Sequence, residues 1–237
     1  MIGEGVQMPA DLEEMLQATR NEEEEEEGEG RRLAASSEFK EWVTYKDKMP
    51  AVRNAGFCKA SWAMAANTLL EVRTAIKYNI PAVIHMSDQQ LIDCVYVDQG
   101  YDSCRNSGWT EHAFVYREAN GHTFDYEYGL VSNIVGQQLA CNYDEVPLHK
   151  EGMKPKPYSA PYPNHPYVLK DASIFTLIEM LNTVGPVIVG VNASSMAFKH
   201  YSSGILGNGD MDQGKPNHVM VLVGYKAIPN GAHFWIL

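Results

Sequence analysis

The sequence lacks clusters of basic residues and long apolar runs. Its 237 residues carry 19 Lys and Arg against 30 Asp and Glu, a formal net charge of −11. Phosphate binding requires grouped cationic side chains, so we expect no nucleic acid partner. No apolar run approaches the roughly 20 residues that span a bilayer, so we expect no membrane partner. The residues after Met1 also lack the basic segment followed by an apolar one that marks a secretory signal.

Cysteine is scarce, and its spacing argues against a metal site. The chain contains Cys58, Cys94, Cys104 and Cys141, with no C-x-x-C motif and no H-x₃₋₅-H motif. Structural zinc sites are built from such short spacings. We therefore expect no metal and no cofactor. Disulfides in an oxidising compartment and reduced thiols remain as the alternatives for these residues.

Negative charge is concentrated at the start of the chain. Residues 1–30 hold eleven acids against Arg20 alone, a net of −10, which leaves 18 bases and 19 acids in residues 31–237. We expect residues 1–37 to form an acidic, disordered leader, because the closely spaced charges of Glu22–Glu27 repel one another. A docking tail for a basic partner or for divalent cations is the alternative.

Helical patterns fill the first half of the chain, and β-rich patterns fill the second. The residues from Ser61 to Tyr78 contain no Gly or Pro and are apolar on most faces, which predicts a buried helix. Capping-box spacing at Ser87 predicts a second helix start. Further helices are predicted over residues 110–118 and 173–182, and strands over residues 184–191, 218–225 and 233–237. This order predicts an α+β chain of two lobes, joined through the proline-rich residues 151–168.

One segment carries a family resemblance. Residues 49–63, M-P-A-V-R-N-A-G-F-C-K-A-S-W-A, resemble the nucleophile segment of papain-like cysteine peptidases, P-V-K-N-Q-G-x-C-G-S-C-W-A, with Ser61 at the position of the cysteine. Other segments resemble the same family in the same order: residues 86–94 (L-S-E-Q-E-L-L-D-C), 104–109 (C-N-G-G), 183–187, 201–205 (Y-x-x-G-I) and 217–225 (N-H-A-V-x-x-V-G-Y). The resemblance covers roughly residues 40–237.

The resemblance implies a papain-like two-lobed fold. We expect a peptidase domain over residues 38–237, with a helical left lobe over about 45–150 and a β-barrel-like right lobe over about 151–237. A cleft would lie between the lobes. We also expect the domain to be truncated at its C-terminus, because residues 234–237 resemble the family's Y-W-L-V, and the asparagine of K-N-S-W would follow about two residues later.

The resemblance also implies two disulfides. Cys58 would pair with Cys104, and Cys94 with Cys141. Such bridges indicate a secretory, vacuolar or lysosomal, or extracellular compartment. Because no secretory signal is visible, either the true start of the chain is missing or the thiols remain reduced.

Catalytic positions of the family can be assigned to this chain one by one. Ser61 occupies the nucleophile position and His218 the position of the general base. Ala55 occupies the position of the oxyanion glutamine, whose donor is lost, and a missing oxyanion donor typically costs about 3 kcal/mol. For Ser61 the alternative is a plain helix N-cap, since serine is favoured there whatever the chemistry.

The resemblance implies that the family's substrate-binding positions are retained at Gly108, Trp109 and Thr110. We therefore expect a catalytically impaired papain-family homologue, a pseudo-peptidase that binds a peptide or protein in the interlobe cleft. The alternative is an active hydrolase that uses Ser61 and His218 as nucleophile and base. A third interpretation is a truncated product with no independent role. Asn192-Ala193-Ser194 is a glycosylation sequon, although it adjoins a strand that the sequence predicts to be buried.

Overall fold

The structure is a computed structural model of the whole chain. It describes residues 48–80, 85–96, 100–142, 172–207, 209–211, 214–227 and 233–237. The predicted acidic leader over residues 1–37 and the predicted extended connection over residues 151–168 lie outside these residues.

The central element is helix α1, Ser61–Tyr78. Its bounds confirm the predicted helix, and its side chains from Trp62 to Ala66 are all buried. Ala60 occupies the N-cap position, and its side chain makes no capping hydrogen bond. Ser61 is therefore the first helical residue, and the alternative that it serves only as an N-cap is wrong. The helix ends at Asn79, whose left-handed conformation closes the last turn.

Four further helices follow α1 in the first half of the chain. They are α2 (Asp88–Cys94), α3 (Ser103–Asn106), α4 (Thr110–Asn120) and α5 (Ser132–Val135). The predicted cap is confirmed, because the Gln90 backbone N–H donates to Ser87 Oγ at 3.0 Å. The Gln90 side chain does not return to Ser87, however, since its Oε1 accepts instead from Arg117 Nη1 at 2.7 Å.

Strands follow in the second half of the chain. After helix α6 (Ile174–Thr183) come strand β1 (Val187–Val191), helix α7 (Met196–Lys199) and strands β2 (His218–Leu222), β3 (Gly224–Ala227) and β4 (His233–Ile236). Strands β1 and β2 pair antiparallel, as do β3 and β4. The predicted α+β order is therefore confirmed.

Two details of the predicted strands differ from the structure. The predicted run over residues 218–225 is broken at Val223, so that its two parts belong to different sheets. Strand β1 also starts later than predicted, because the backbone N–H groups of Val184 and Gly185 still bond to Met180 O at the end of α6. An apolar run does not reveal such breaks, since its side chains suit either a strand or a helix end.

Helix α1 joins two hydrophobic cores. Trp62 at its start belongs to the first core, with Leu91 and Ile92 of α2, and contacts the Tyr96 ring edge-on at 5.7 Å. Ile76 near its end packs against the second core, which contains Leu181, Val187, Leu222 and Tyr225. Arg73 adds a polar tie, because its Nη2 donates to the Pro186 carbonyl at 2.9 Å. One rigid helix thus sets the position of Ser61 relative to strand β2.

Candidate active site

Ser61 lies beside the strand that carries His218. The Val219 backbone N–H donates to Ser61 Oγ at 3.4 Å. The contact connects the first residue of α1 with β2, across 158 positions of sequence. The structure therefore brings the predicted nucleophile position to the strand that carries the predicted base position.

His218 is half-buried on strand β2. Its ring meets the Phe198 ring edge-on, with 6.1 Å between the ring centres. Burial lowers the pKa of His218 below its ordinary value of 6.5, because the charged imidazolium loses solvation. The imidazole is therefore neutral at pH 7 and able to accept a proton.

No hydrogen bond joins the side chains of Ser61 and His218, both of which lie in the described part of the chain. Among the described residues, the hydrogen-bond partner of the Ser61 hydroxyl is the Val219 backbone, not the His218 ring. A serine hydroxyl needs a general base within hydrogen-bond reach before it attacks a carbonyl. The arrangement resembles a catalytic pair in which the proton-transfer contact has not formed.

Ala55 lies six residues before Ser61 and is half-buried. Its carbonyl accepts from the Cys58 backbone N–H at 3.0 Å, and its methyl group packs against the first core. A methyl group cannot donate a hydrogen bond to a developing oxyanion. The side chain at this position therefore supplies packing and no polarisation.

Arg53 anchors the segment that leads to Ser61, a role that the sequence analysis missed. Its Nη2 lies 2.6 Å from Glu71 Oε1 on α1, and its Nε lies 2.9 Å from Asp88 Oδ2 at the start of α2. Burial raises the pKa of both carboxyl groups, and the charge of Arg53 opposes that shift. The partners are 18 and 35 residues away in sequence, and no local pattern indicates such a pairing.

Gly108 lies flat against Trp62, the residue after Ser61. A Cβ at this position would come within 2.5 Å of Trp62 Cε2, so that the contact requires glycine. The neighbouring Trp109 is 66% exposed, and its backbone N–H donates to Tyr96 Oη at 2.8 Å. Thr110 is the first residue of α4 and is half-buried. The three predicted substrate-binding residues therefore form one continuous segment, and its first residue, Gly108, packs against the start of α1.

Disulfides join the four cysteines in the pairing that the resemblance implies. Cys58 is bonded to Cys104 and Cys94 to Cys141, with Cα–Cα distances of 4.7 and 4.9 Å. The first bridge ties the segment before Ser61 to the segment before Gly108, and the Lys59 backbone N–H donates to the Cys104 carbonyl at 2.8 Å beside it. The separation between the two sides of the site is thereby set covalently.

The described residues contain neither a metal-binding group nor a membrane-spanning helix. In this part of the chain, no group of three or more His, Cys, Asp or Glu side chains could hold a metal ion. No helix of the described segments is long and apolar enough to cross a membrane.

Comparison with known proteins gives a consistent result. A sequence model of the family described as papain family cysteine protease matches residues 36–237. The chain is 31% identical over 202 residues to the viral cathepsin of Choristoneura fumiferana nuclear polyhedrosis virus, which covers 81% of this chain and 51% of that protein. It is 26% identical over 197 residues to cathepsin L1 of Drosophila melanogaster, covering 83% of this chain and 48% of that protein.

A solved structure shares the fold. Digestive procathepsin L 3 from the larval midgut of Tenebrio molitor matches with a TM-score of 0.63 and 23% sequence identity, over 81% of this chain and 56% of that one. The chain thus spans about half the length of the relatives that it matches.

Proposed function

The chain belongs to the papain family of cysteine proteases, and on that premise we propose that it binds peptides or unfolded protein segments in the interlobe cleft without cleaving them. The observation that carries the proposal is Ser61 at the cysteine position. A thiol with a reference pKa of about 8.5 can become a thiolate beside a histidine, whereas a serine hydroxyl stays neutral.

Two further observations support the loss of turnover. Ala55 offers no donor to an oxyanion, and removing one such donor from a hydrolase typically lowers kcat by roughly 10²–10³. The hydroxyl of Ser61 accepts from the Val219 backbone and has no hydrogen bond to the His218 ring. Attack and charge stabilisation are therefore both weakened at the same site.

Peptide binding has separate support. Gly108 presents backbone without a side chain beside the start of α1, where an extended peptide could pair with it. The exposed Trp109 next to it offers an aromatic surface for a neighbouring side chain. Neither feature depends on the chemistry of Ser61. The two disulfides and the cathepsin relatives favour an oxidising compartment, secretory or lysosomal, as the place where this binding occurs.

The test compares cleavage with binding in the same protein. The wild type and Ser61→Ala would be assayed with a mixture of fluorogenic peptidyl substrates between pH 4 and 8, and with labelled uncleavable peptides by fluorescence anisotropy. We expect equal background cleavage in both proteins and saturable peptide binding that Trp109→Ala weakens. Cleavage that disappears in Ser61→Ala would overturn the proposal, and so would the absence of binding by a folded protein.

An active serine hydrolase is the second candidate, favoured by the lowered pKa of His218, which adjoins the residue whose backbone N–H bonds to Ser61. In that mechanism His218 would take the Ser61 proton as the hydroxyl attacks a carbonyl, forming an acyl-enzyme that water then hydrolyses. A fluorophosphonate reagent should then label Ser61 in the wild type but neither Ser61→Ala nor His218→Ala. Absence of labelling in a folded wild type would remove this candidate.

A further inference from the structure

The Asn192-Ala193-Ser194 sequon directly follows a strand, as the sequence predicted. Strand β1 ends at Val191, and the sequon forms the turn between this strand and helix α7. Asn192 is half-buried and Ser194 is exposed. The strand adjoins the sequon as expected but is not buried throughout, because Val187 is buried, Gly190 is exposed and the other three residues of β1 are half-buried.

The turn holds the sequon in a defined conformation. The Ser194 backbone N–H donates to Asn192 Oδ1 at 3.0 Å, which is an Asx-turn. The Asn192 amide nitrogen faces Gly214 and lies 3.1 Å from the position that a Cβ would take there. Gly214, Lys215 and Pro216 are exposed, so that this nitrogen lies beside residues in contact with solvent.

We propose that Asn192 is an N-glycosylation site and that its glycan stands on the face of the β1–β2 pair opposite His218. The two disulfides are independent support, because both bridges and N-glycans are formed along the secretory route. Asn192-Ala193-Ser194 is also the only Asn-X-Ser/Thr triplet in the 237 residues.

Chemically, the step is a glycosyl transfer from a polyprenyl-diphosphate oligosaccharide. A bond forms between Asn192 Nδ2 and the anomeric carbon of the sugar. The bond between that carbon and the diphosphate oxygen breaks, the lipid diphosphate leaves, and the amide nitrogen releases one proton. The donor is a lipid substrate of the cell's transferase, and no oxidation or reduction takes place.

The position relative to His218 follows from the strand geometry. Val191 pairs with His218 in the β1–β2 register, so that these two side chains share one face. The side chain before His218, Asn217, points to the other face, where its Nδ2 donates to Ser194 Oγ at 2.7 Å and its Oδ1 accepts from the Ala193 N–H at 2.8 Å. The glycan-bearing turn is therefore held on that second face, and the approach to Ser61 stays open.

The experiment secretes the full chain from a eukaryotic host behind a cleavable signal. We expect one glycan per chain, seen as an intact-mass increase that peptide N-glycosidase removes while converting Asn192 to Asp in the peptide map. Ser194→Thr keeps the sequon and should keep the glycan. Ser194→Ala and Asn192→Gln should both abolish it.

Two results would overturn the inference. The first is an unmodified Asn192 peptide in secreted protein whose two disulfides have formed. Protein retained in the cell is mapped in the same way as a control. The second concerns the face. If enzymatic deglycosylation changes the alkylation rate of the thiol in Ser61→Cys, the glycan covers the site and the assigned face is wrong. Neither result depends on whether the protein cleaves or binds peptides.

Discussion

The backbone N–H of Val219 donates to the hydroxyl oxygen of Ser61 across 3.4 Å, which links the start of α1 to strand β2. In this position the serine lies beside the strand that carries His218, and its hydroxyl accepts a hydrogen bond from the backbone of that strand. On the proposed function, the residue at position 61 offers a hydroxyl where the family resemblance expects a thiol, so that the proposed loss of turnover is one of chemistry. Activity should accordingly respond to the residue types at Ser61 and Ala55.

Restoring both residue types should restore proteolysis in steps. In a Ser61→Cys background, we expect Ala55→Gln to raise kcat/KM for peptidyl substrates by roughly 10²-fold, because it returns one oxyanion donor. Ala55→Leu is the matched control, since it adds bulk without a donor. Equal rates for the Gln and Leu variants would show that position 55 does not polarise the substrate.

Removing Arg53 should destabilise the fold. Arg53→Ala leaves Glu71 and Asp88 buried without their cation, and breaking a buried pair in this way typically costs about 3–5 kcal/mol in the free energy of unfolding. Arg53→Lys should lower the free energy of unfolding by less, but not leave it unchanged, because a single ammonium group cannot reproduce the contacts of the guanidinium with both Glu71 and Asp88. Urea unfolding followed by circular dichroism measures both.

Arg105 provides the control for Arg53. It lies 3.4 Å from Asp102, but its side chain is 65% exposed, and surface pairs of this kind contribute about 0–1 kcal/mol. We expect Arg105→Ala to unfold at nearly the wild-type urea concentration. If Arg53→Ala did the same, the buried cluster would have no role in stability.

His122 should make the protein sensitive to acid. Burial, and secondarily the charge of Arg117, lowers the pKa of His122 from 6.5 to about 4. Between these values the unfolded chain binds a proton that the folded protein does not, so that stability falls as the pH drops from about 6.5 to about 4. The slope for one such group is at most about 1.4 kcal/mol per pH unit.

The matched variant for this prediction is His122→Gln, which does not titrate. The buried carboxyl groups of Glu71, Asp88 and Asp93 have raised pKa values from burial and act in the opposite direction, but they are present in both proteins and cancel in the difference. We expect the free energy of unfolding to fall more steeply with acid in the wild type than in His122→Gln. Parallel profiles would contradict the assignment.

A side chain at Gly108 should disturb both the core and the peptide-binding stretch. The new Cβ of Gly108→Ala would overlap the Trp62 ring, whose nearest atoms lie 2.5 to 2.9 Å away. Overpacking of this kind typically costs about 1–3 kcal/mol. Gly209→Ala is the control, because no atom of the described residues lies within 4 Å of its Cβ position, and it should be neutral. Equal thermal stability of the two variants would mean that the Trp62 ring moves aside and accommodates the added Cβ without cost.

Several features could be predicted because they depend on neighbours in the sequence. The absence of Gly and Pro after Ser61 predicts helix α1, and a serine followed by a glutamine three residues later predicts the N-terminal cap of α2. Features that depend on distant contacts were missed. The cluster around Arg53 and the ring of Phe198 against His218 join residues that only folding brings together.

By itself the sequence determined the family, the helical first half and the β-rich second half, since these follow from residue type and order. It also places a serine at residue 61, where the resemblance predicts a cysteine. Only the tertiary structure decided that Ser61 is a helical residue that accepts a hydrogen bond from the Val219 backbone, and that Gly108 must lack a side chain. It also decided that the Asn192 sequon lies in a turn. The physical reason is that hydrogen-bond partners, close approaches and the end of a strand are set by three-dimensional packing, which residue order along the chain does not specify.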